Sequence, residues 1–187
     1  MRLYALCDQE MLDYKNISIE EFIEIAKQNF AEIIQYRNKT SDISFIKQQL
    51  IKIRQTYDGF LIVNDAYELV AFCDGVHMGQ EDLKVIDSDI YKAVQILRSI
   101  VTKDKILGIS THSEFEVLQA NELDLNYIGL GAFRNTNTKT DISIILGDSL
   151  DKIASKSKHR VAAIGGVKKD DMFEHVTYHV IGSGLVS

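Results

Sequence analysis

The sequence predicts a parallel α/β fold, a compact (β/α)8 barrel of one domain over residues 1–187 that lacks the final C-terminal helix. Three observations carry this. Short runs such as Phe60-Leu61-Ile62-Val63 are apolar at successive positions, the signature of strands buried on both faces. Eight such runs are separated by seven helical patterns, with no linker or low-complexity segment between them. Eight strand-helix steps favour closure over an open sheet, because a barrel leaves no edge strand.

The first strand runs from Arg2 to Cys7 and ends in Asp8. Ser18 opens Ser-Ile-Glu-Glu with Glu21 three residues on, a capping box for a helix to about Asn29 with Phe22, Ile23, Ile25 and Ala26 inward. Glu32 to Lys39 is the second strand. Asp42 caps a helix in which Ile43, Phe45, Ile46, Leu50, Ile51 and Ile53 recur at near-helical spacing. Gly59 to Val63 is the third strand, Tyr67 to Cys73 a short helix and Val76 to Gly79 the fourth strand. A helix from Asp89 to about Thr102 carries Ala93, Val94, Ile96, Leu97 and Val101. Lys105 to Ser110 is the fifth strand, Ser113 to about Leu123 a helix, and Asn126 to Phe133 the sixth strand. Ser149 to about Ser157 is a helix, Arg160 to Gly166 the seventh strand, Lys168 to Val176 a helix, and His179 to Ser183 the eighth strand. The chain stops at Ser187, so the outer face near the first and last strands is expected to be uncovered or covered by a partner. A homodimer is the expectation drawn from that gap.

Composition narrows the function classes. At 187 residues the chain suits one well-buried domain and is shorter than a typical barrel of about 250, so its loops must be tight. A net charge of -6 and a pI near 5.4 argue against a general nucleic-acid binder, while leaving room for a local basic pocket. No apolar run approaches a membrane span, and Met1 to Asp8 lacks a signal-peptide core, which points to the cytoplasm. Cys7 and Cys73 lack metal-ligand spacing and read as free thiols.

Asp65 and Asp82 each stand just beyond a strand. Two carboxylates at the carboxyl ends of neighbouring parallel strands lie where barrels build their sites, and hard divalent cations prefer such oxygen ligands. Capping of the following helix is the commoner use of such an Asp. Gln35, Arg37 and Lys39 are polar at alternate positions of a buried strand, so all three face one side as the strand leaves the barrel. Arg and Lys there suit a phosphate, and carboxylates, metal and basic side chains together make a clamp. Ser110 follows the fifth strand, but Gly-x-Ser-x-Gly fails because His112 stands at its last position. Ser110 is better read as a phosphate donor, and His112 as a proton carrier or a polar loop residue. Gly129-Leu130-Gly131 lacks the third glycine of a dinucleotide fingerprint, Arg134 standing there instead. Thr136-Asn137-Thr138-Lys139 puts hydroxyls and an ammonium over the same end. Gly165-Gly166 and Gly182-Ser183-Gly184 follow the last two strands, the usual barrel phosphate site.

Taken together, these motifs resemble the thiamine phosphate synthase and thiazole tautomerase superfamily. The resemblance runs from Leu3-Tyr4-Ala5-Leu6-Cys7-Asp8 through Gln35-Tyr36-Arg37-Asn38-Lys39, Val63-Asn64-Asp65 and Gly75-Val76-His77-Met78-Gly79-Gln80-Glu81-Asp82. It continues through Gly108-Ile109-Ser110-Thr111-His112-Ser113, Gly129-Leu130-Gly131, Thr136-Asn137-Thr138-Lys139 and Ala163-Ile164-Gly165-Gly166. It implies coupling of a hydroxymethylpyrimidine diphosphate to a thiazole phosphate with loss of pyrophosphate. On that resemblance Asp65 and Asp82 bind Mg2+, and Arg37, Lys39, Asn64, Ser110 and Lys139 hold the diphosphate. Gln35 and His77 face the pyrimidine, and Thr136, Thr138, Gly166 and Ser183 hold the thiazole phosphate. The tautomerase branch needs a proton carrier where His112 stands but not the carboxylate pair, and retention of Asp65, Asp82 and Lys139 favours the synthase. A third expectation is a barrel that binds these phosphates without turnover. Asn38, Ala132, Cys7 and Ala66 depart from the family's usual residues.

Overall fold

The computed structural model describes residues 2–135 and 144–186. Eight parallel strands close into a barrel in chain order, β1 Arg2–Asp8, β2 Ile33–Arg37, β3 Phe60–Asn64, β4 Gly75–Met78, β5 Ile106–Thr111, β6 Tyr127–Leu130, β7 Arg160–Ala163 and β8 Tyr178–Ile181. β1 pairs with β8 through Tyr4 opposite Val180, which completes the ring. The fold class is the one the strand pattern predicts.

Alternation along each strand makes two shells. Tyr4, Ile33, Ile62, Tyr127, Ala162, Tyr178 and Val180 point inward and fill the lower barrel. Their neighbours point outward: Ala5, Cys7, Ile34, Leu61, Val63, Val76, Leu107, Ile109, Ile128 and Ala163 are buried against the surrounding helices. Arg2 closes the amino-terminal end by pairing with Glu32 at 2.5 Å and lying over the Tyr178 ring at 4.7 Å. Both cysteines are free and buried, and burial pushes the Cys7 thiol up.

The helices around the barrel are α1 Gln9–Lys15, α2 Ile19–Gln28, α3 Ile43–Thr56, α4 Gln80–Ile86, α5 Ile90–Ile100, α6 Glu114–Ala120 and α7 Ser149–Ala154. The capping box of α2 is present, with Glu21 N–H donating to Ser18 Oγ at 3.1 Å and Ser18 N–H to Glu21 Oε2 at 2.8 Å. Asp42 caps α3 and Ser113 caps α6, accepting from Phe45 and Glu116. Tyr67–Phe72 is a 3₁₀ helix. Two helices, α1 and α4, were not expected. Each is seven residues long and buries one or two side chains, Met11 and Leu12 in α1 and Leu83 in α4, too few for a readable period.

The helix expected over Lys168 to Val176 does not form. Two of its interior backbone donors are taken by a carboxylate from another element: Asp151 accepts from Glu174 and His175 N–H at 3.1 and 2.9 Å. Such side-chain acceptors compete with helical carbonyls. This segment covers the outer side of β8 instead, Phe173 meeting His179 edge-on at 5.2 Å. With Leu3, Ala5, Cys7, His179 and Ile181 all buried within the chain, the face between β1 and β8 is not uncovered, and the reason for expecting a partner there is removed. No helix among the described residues is long and apolar enough to cross a membrane.

Candidate active site

Strand register brings the polar residues to one end. Leu6 lies opposite Gln35, Asp8 opposite Arg37, Asn64 opposite His77 and Ser110 opposite Gly129, so their side chains enter the barrel above the apolar floor. Gln35 and His77 are buried at 5% and 8% exposure.

Lys39 is carried back over the mouth by a turn that Asn38 builds. The Asn38 Oδ1 accepts from Thr40 N–H at 3.0 Å and Ser41 N–H at 2.9 Å, an Asx turn that an acidic residue would also form. Lys39 Nζ then pairs with both Asp65 and Asp82. Burial works against the lysine charge, but the two carboxylates outweigh it and hold its pKa above the ordinary value.

Asp65 does not cap a helix in the ordinary way. It occupies the left-handed region at φ 61°, and its Oδ1 accepts from Gly79 N–H at 2.9 Å, tying the end of β3 to the end of β4. A left-handed non-glycine residue costs about 1–2 kcal/mol, a strain found at sites where a side chain must be aimed. Asp82 sits in the first turn of α4, and Gly79 makes room for it: a Cβ there would lie 2.7 Å from Asp82 Oδ2. Two carboxylates converging on one ammonium form an all-oxygen, doubly negative cation site. That donor set fits a magnesium ion, which takes one or two carboxylates and completes its shell with water and phosphate oxygens.

Arg37 faces the same end, its Nη1 held by Asp8 Oδ2, while Asp8 Oδ1 accepts from Met11 N–H at 3.1 Å at the start of α1. Asp8 is thus a site residue the sequence reading used only as a strand terminator. Below the mouth runs a buried hydrogen-bonded chain. Gln35 Nε2 donates to Asn64 Oδ1 at 2.6 Å, Asn64 Nδ2 donates to Asp65, and Tyr4 O–H donates to Gln35 Oε1 at 2.5 Å. The Tyr4 and Tyr127 hydroxyls meet at 2.8 Å, Tyr127 meets His77 Nδ1 at 2.9 Å, and His77 Nε2 meets Ser110 Oγ at 3.0 Å. Tyr4 and Tyr127 were missed because tyrosine in an apolar strand reads as core; their inward register was the available signal.

Not every expected residue joins this group. His112 turns to Glu116 on α6, whose Oε2 accepts from His112 N–H at 2.5 Å and lies 3.1 Å from Nδ1. That hydrogen bond holds the Glu116 carboxyl below its usual range. Gly166 lies in the loop after β7 at φ 68°, its carbonyl accepting from Arg134 Nη1 at 2.9 Å while the Arg134 fork grips Asp171 at 2.7 and 2.6 Å. Arg134, discounted as a failed glycine position, therefore braces that loop. Ser183 opens a single 3₁₀ turn, Ser183–Leu185, after β8. Thr136, Thr138 and Lys139 lie outside the described residues.

A closed parallel barrel with its charged and polar groups gathered at the carboxyl ends of the strands defines a (β/α)8 enzyme. The chain belongs to the thiamine monophosphate synthase family, whose family model matches residues 3–187. Among curated relatives, the thiamine-phosphate synthase of Ruminiclostridium cellulolyticum is 30% identical over 99% of this chain and 85% of its own. That of Clostridium acetobutylicum is 32% identical over 100% of this chain and 85% of its own. Among solved structures, a thiamine phosphate pyrophosphorylase from Pyrococcus furiosus shares the fold with a TM-score of 0.75 at 24% identity, covering 98% of this chain and 87% of that one. A tryptophan synthase alpha-subunit from the same organism shares it at 0.66 and 12% identity, covering 99% and 88%.

Proposed function

We propose that this protein is a magnesium-dependent thiamine phosphate synthase, a cytoplasmic transferase that joins hydroxymethylpyrimidine diphosphate to thiazole phosphate and releases pyrophosphate. The observation that carries the reading is the convergence of Asp65 and Asp82 on Lys39 at the barrel mouth, directly above Gln35, Asn64, His77 and Ser110. A tautomerase has no need of that carboxylate pair.

On this reading the carbon–oxygen bond between the pyrimidine methylene and the diphosphate breaks, its electron pair leaving with pyrophosphate. The thiazole nitrogen lone pair then forms the new carbon–nitrogen bond, and no proton need move. When bound between Asp65 and Asp82, the magnesium ion supplies positive charge against the diphosphate oxygens. Lys39, Arg37 and Lys139 add charge on the same group, and Asn64 and Ser110 add donors. Gln35 and His77 orient the pyrimidine, while Thr136, Thr138, Gly166 and Ser183 seat the thiazole phosphate. Catalysis here is positioning and charge stabilisation, which is why a strong base is not required.

One observation favours a second reading. Glu116 accepts the proton on His112 Nδ1, which leaves Nε2 as a base, the arrangement a thiazole tautomerase would use. A coupling assay with both thiamine precursors, with Mg2+ and again with chelator, separates the two. Magnesium-dependent thiamine phosphate supports the synthase. A folded protein that makes none, yet isomerises the thiazole carboxylate phosphate in chelator and fails as His112→Asn, is a tautomerase; phosphate binding without either product marks a binding barrel.

A further inference from the structure

We infer that Tyr4 and Tyr127 are positioning residues that fix which nitrogen of His77 carries its proton, and that the Asp65 carboxylate sets the direction of the whole buried chain. The order of donors begins at the charged end. A carboxylate only accepts, and Asp65 already takes Gly79 N–H at 2.9 Å and the Lys39 ammonium. Asn64 must therefore present its Nδ2 to Asp65, leaving Oδ1 for Gln35 Nε2 at 2.6 Å. Gln35 is thereby turned so that Oε1 meets Tyr4 at 2.5 Å, and Tyr4 spends its only proton there. Its oxygen accepts from Tyr127, which spends its own proton in turn. The Tyr127 oxygen then has only lone pairs to offer His77 Nδ1 at 2.9 Å, so Nδ1 carries the hydrogen. In a neutral imidazole Nε2 is left as the acceptor, and Ser110 O–H points to it at 3.0 Å.

The surroundings hold this order in place. Tyr4 and Tyr127 are 1% and 4% exposed, and burial raises both phenol pKa values, which keeps the two hydroxyl protons on. His77 stacks on Tyr127 with ring centroids 5.5 Å apart and planes 28° from parallel, so the imidazole cannot turn over without leaving the ring. Reversing the chain would set the Asn64 carbonyl against the Asp65 carboxylate.

The consequence lies at the mouth. His77 Nε2 presents a lone pair that the Ser110 O–H takes here, so a ligand group that replaces Ser110 on it must bring its own N–H or O–H, and one that brings only an acceptor is refused. That the group belongs to the pyrimidine half rests on the synthase reading; the tautomer itself does not.

The test is a long-range proton–nitrogen correlation spectrum of protein carrying nitrogen-15 histidine, without substrate or metal, with His77 assigned by its loss in His77→Asn. The expected wild-type spectrum has the proton on Nδ1 and none on Nε2. Tyr127→Phe removes the acceptor and should exchange the two ring-nitrogen resonances. Tyr4→Phe, whose lost hydroxyl bonds Gln35 and Tyr127, should do the same, because Tyr127 loses its acceptor and turns its proton toward Nδ1. Wild-type protein with the proton on Nε2 overturns the inference, whether or not the variants fold. So does an unchanged tautomer in a folded Tyr4→Phe variant. A negative coupling assay beside the expected spectrum would sink the synthase reading alone.

Discussion

Lys39 Nζ stands 3.0 Å from Asp82 Oδ2 while it also pairs with Asp65, so one ammonium occupies the space between the two carboxylates. An internal cation in that space competes with any ion that enters it, and the competition can be measured. Lys39→Met should bind Mn2+ about three- to tenfold tighter than wild type in the absence of diphosphate, since two partly exposed ion pairs are worth roughly 1 kcal/mol together. Electron paramagnetic resonance of free Mn2+ reads this directly. Equal or weaker binding would mean that the lysine does not hold the site closed. The same variant should lose coupling activity, having lost a cation that faces the diphosphate.

Asp65→Asn and Asp82→Asn should each lower thiamine phosphate formation on the order of 10²- to 10³-fold, the range seen when one charge-stabilising group is removed from a preorganised site. Near-wild-type turnover in both variants would sink the synthase assignment.

Gly79→Ala isolates position from charge. The backbone at Gly79 is extended, at φ -75°, so alanine suits it, yet its Cβ would lie 2.7 Å from Asp82 Oδ2. Turnover should fall roughly tenfold or more as the carboxylate is pushed aside, with the melting temperature nearly unchanged. An active Gly79→Ala enzyme would show that Asp82 need not stand where it does.

His179 links stability to pH. It packs against Phe173 with Nδ1 toward the Lys168 carbonyl; burial lowers its pKa, opposed by that hydrogen bond and by Asp171. The neutral ring is thus favoured in the fold, and the unfolded chain binds the proton more readily. This contribution is complete above the unfolded value of 6.5 and is lost as pH falls from there through the lower folded value. Urea unfolding at pH 7.5 and 5.5 should show a larger drop for wild type than for His179→Gln, and equal drops would exclude the linkage.

Much of the site was legible in the residues. Asp65 and Asp82 stand just beyond strand ends, and Gln35, Arg37 and Lys39 are conspicuous as polar residues on alternate positions, although the second strand ends at Arg37 and Lys39 reaches the site from the turn after it. What hid was of two kinds. Tyr4 and Tyr127 count as apolar in a strand pattern, so their hydroxyls carried no signal until the register put them 2.8 Å apart. Asp151 takes the Glu174 and His175 N–H groups of the expected helix over 168–176 from another element of the fold, and local propensity contains no trace of that.

By itself the sequence determined the strand count and the end of the barrel at which the chemistry gathers, because period and strand termini are local properties of the chain. Only the tertiary structure decided that Lys39 closes on Asp65 and Asp82, that Arg37 is held by Asp8, and that His77 meets Ser110 directly and is wired to Gln35 through two tyrosines. Those pairings join residues 26 to 123 positions apart. Their geometry follows from barrel closure and register, which no window of sequence contains.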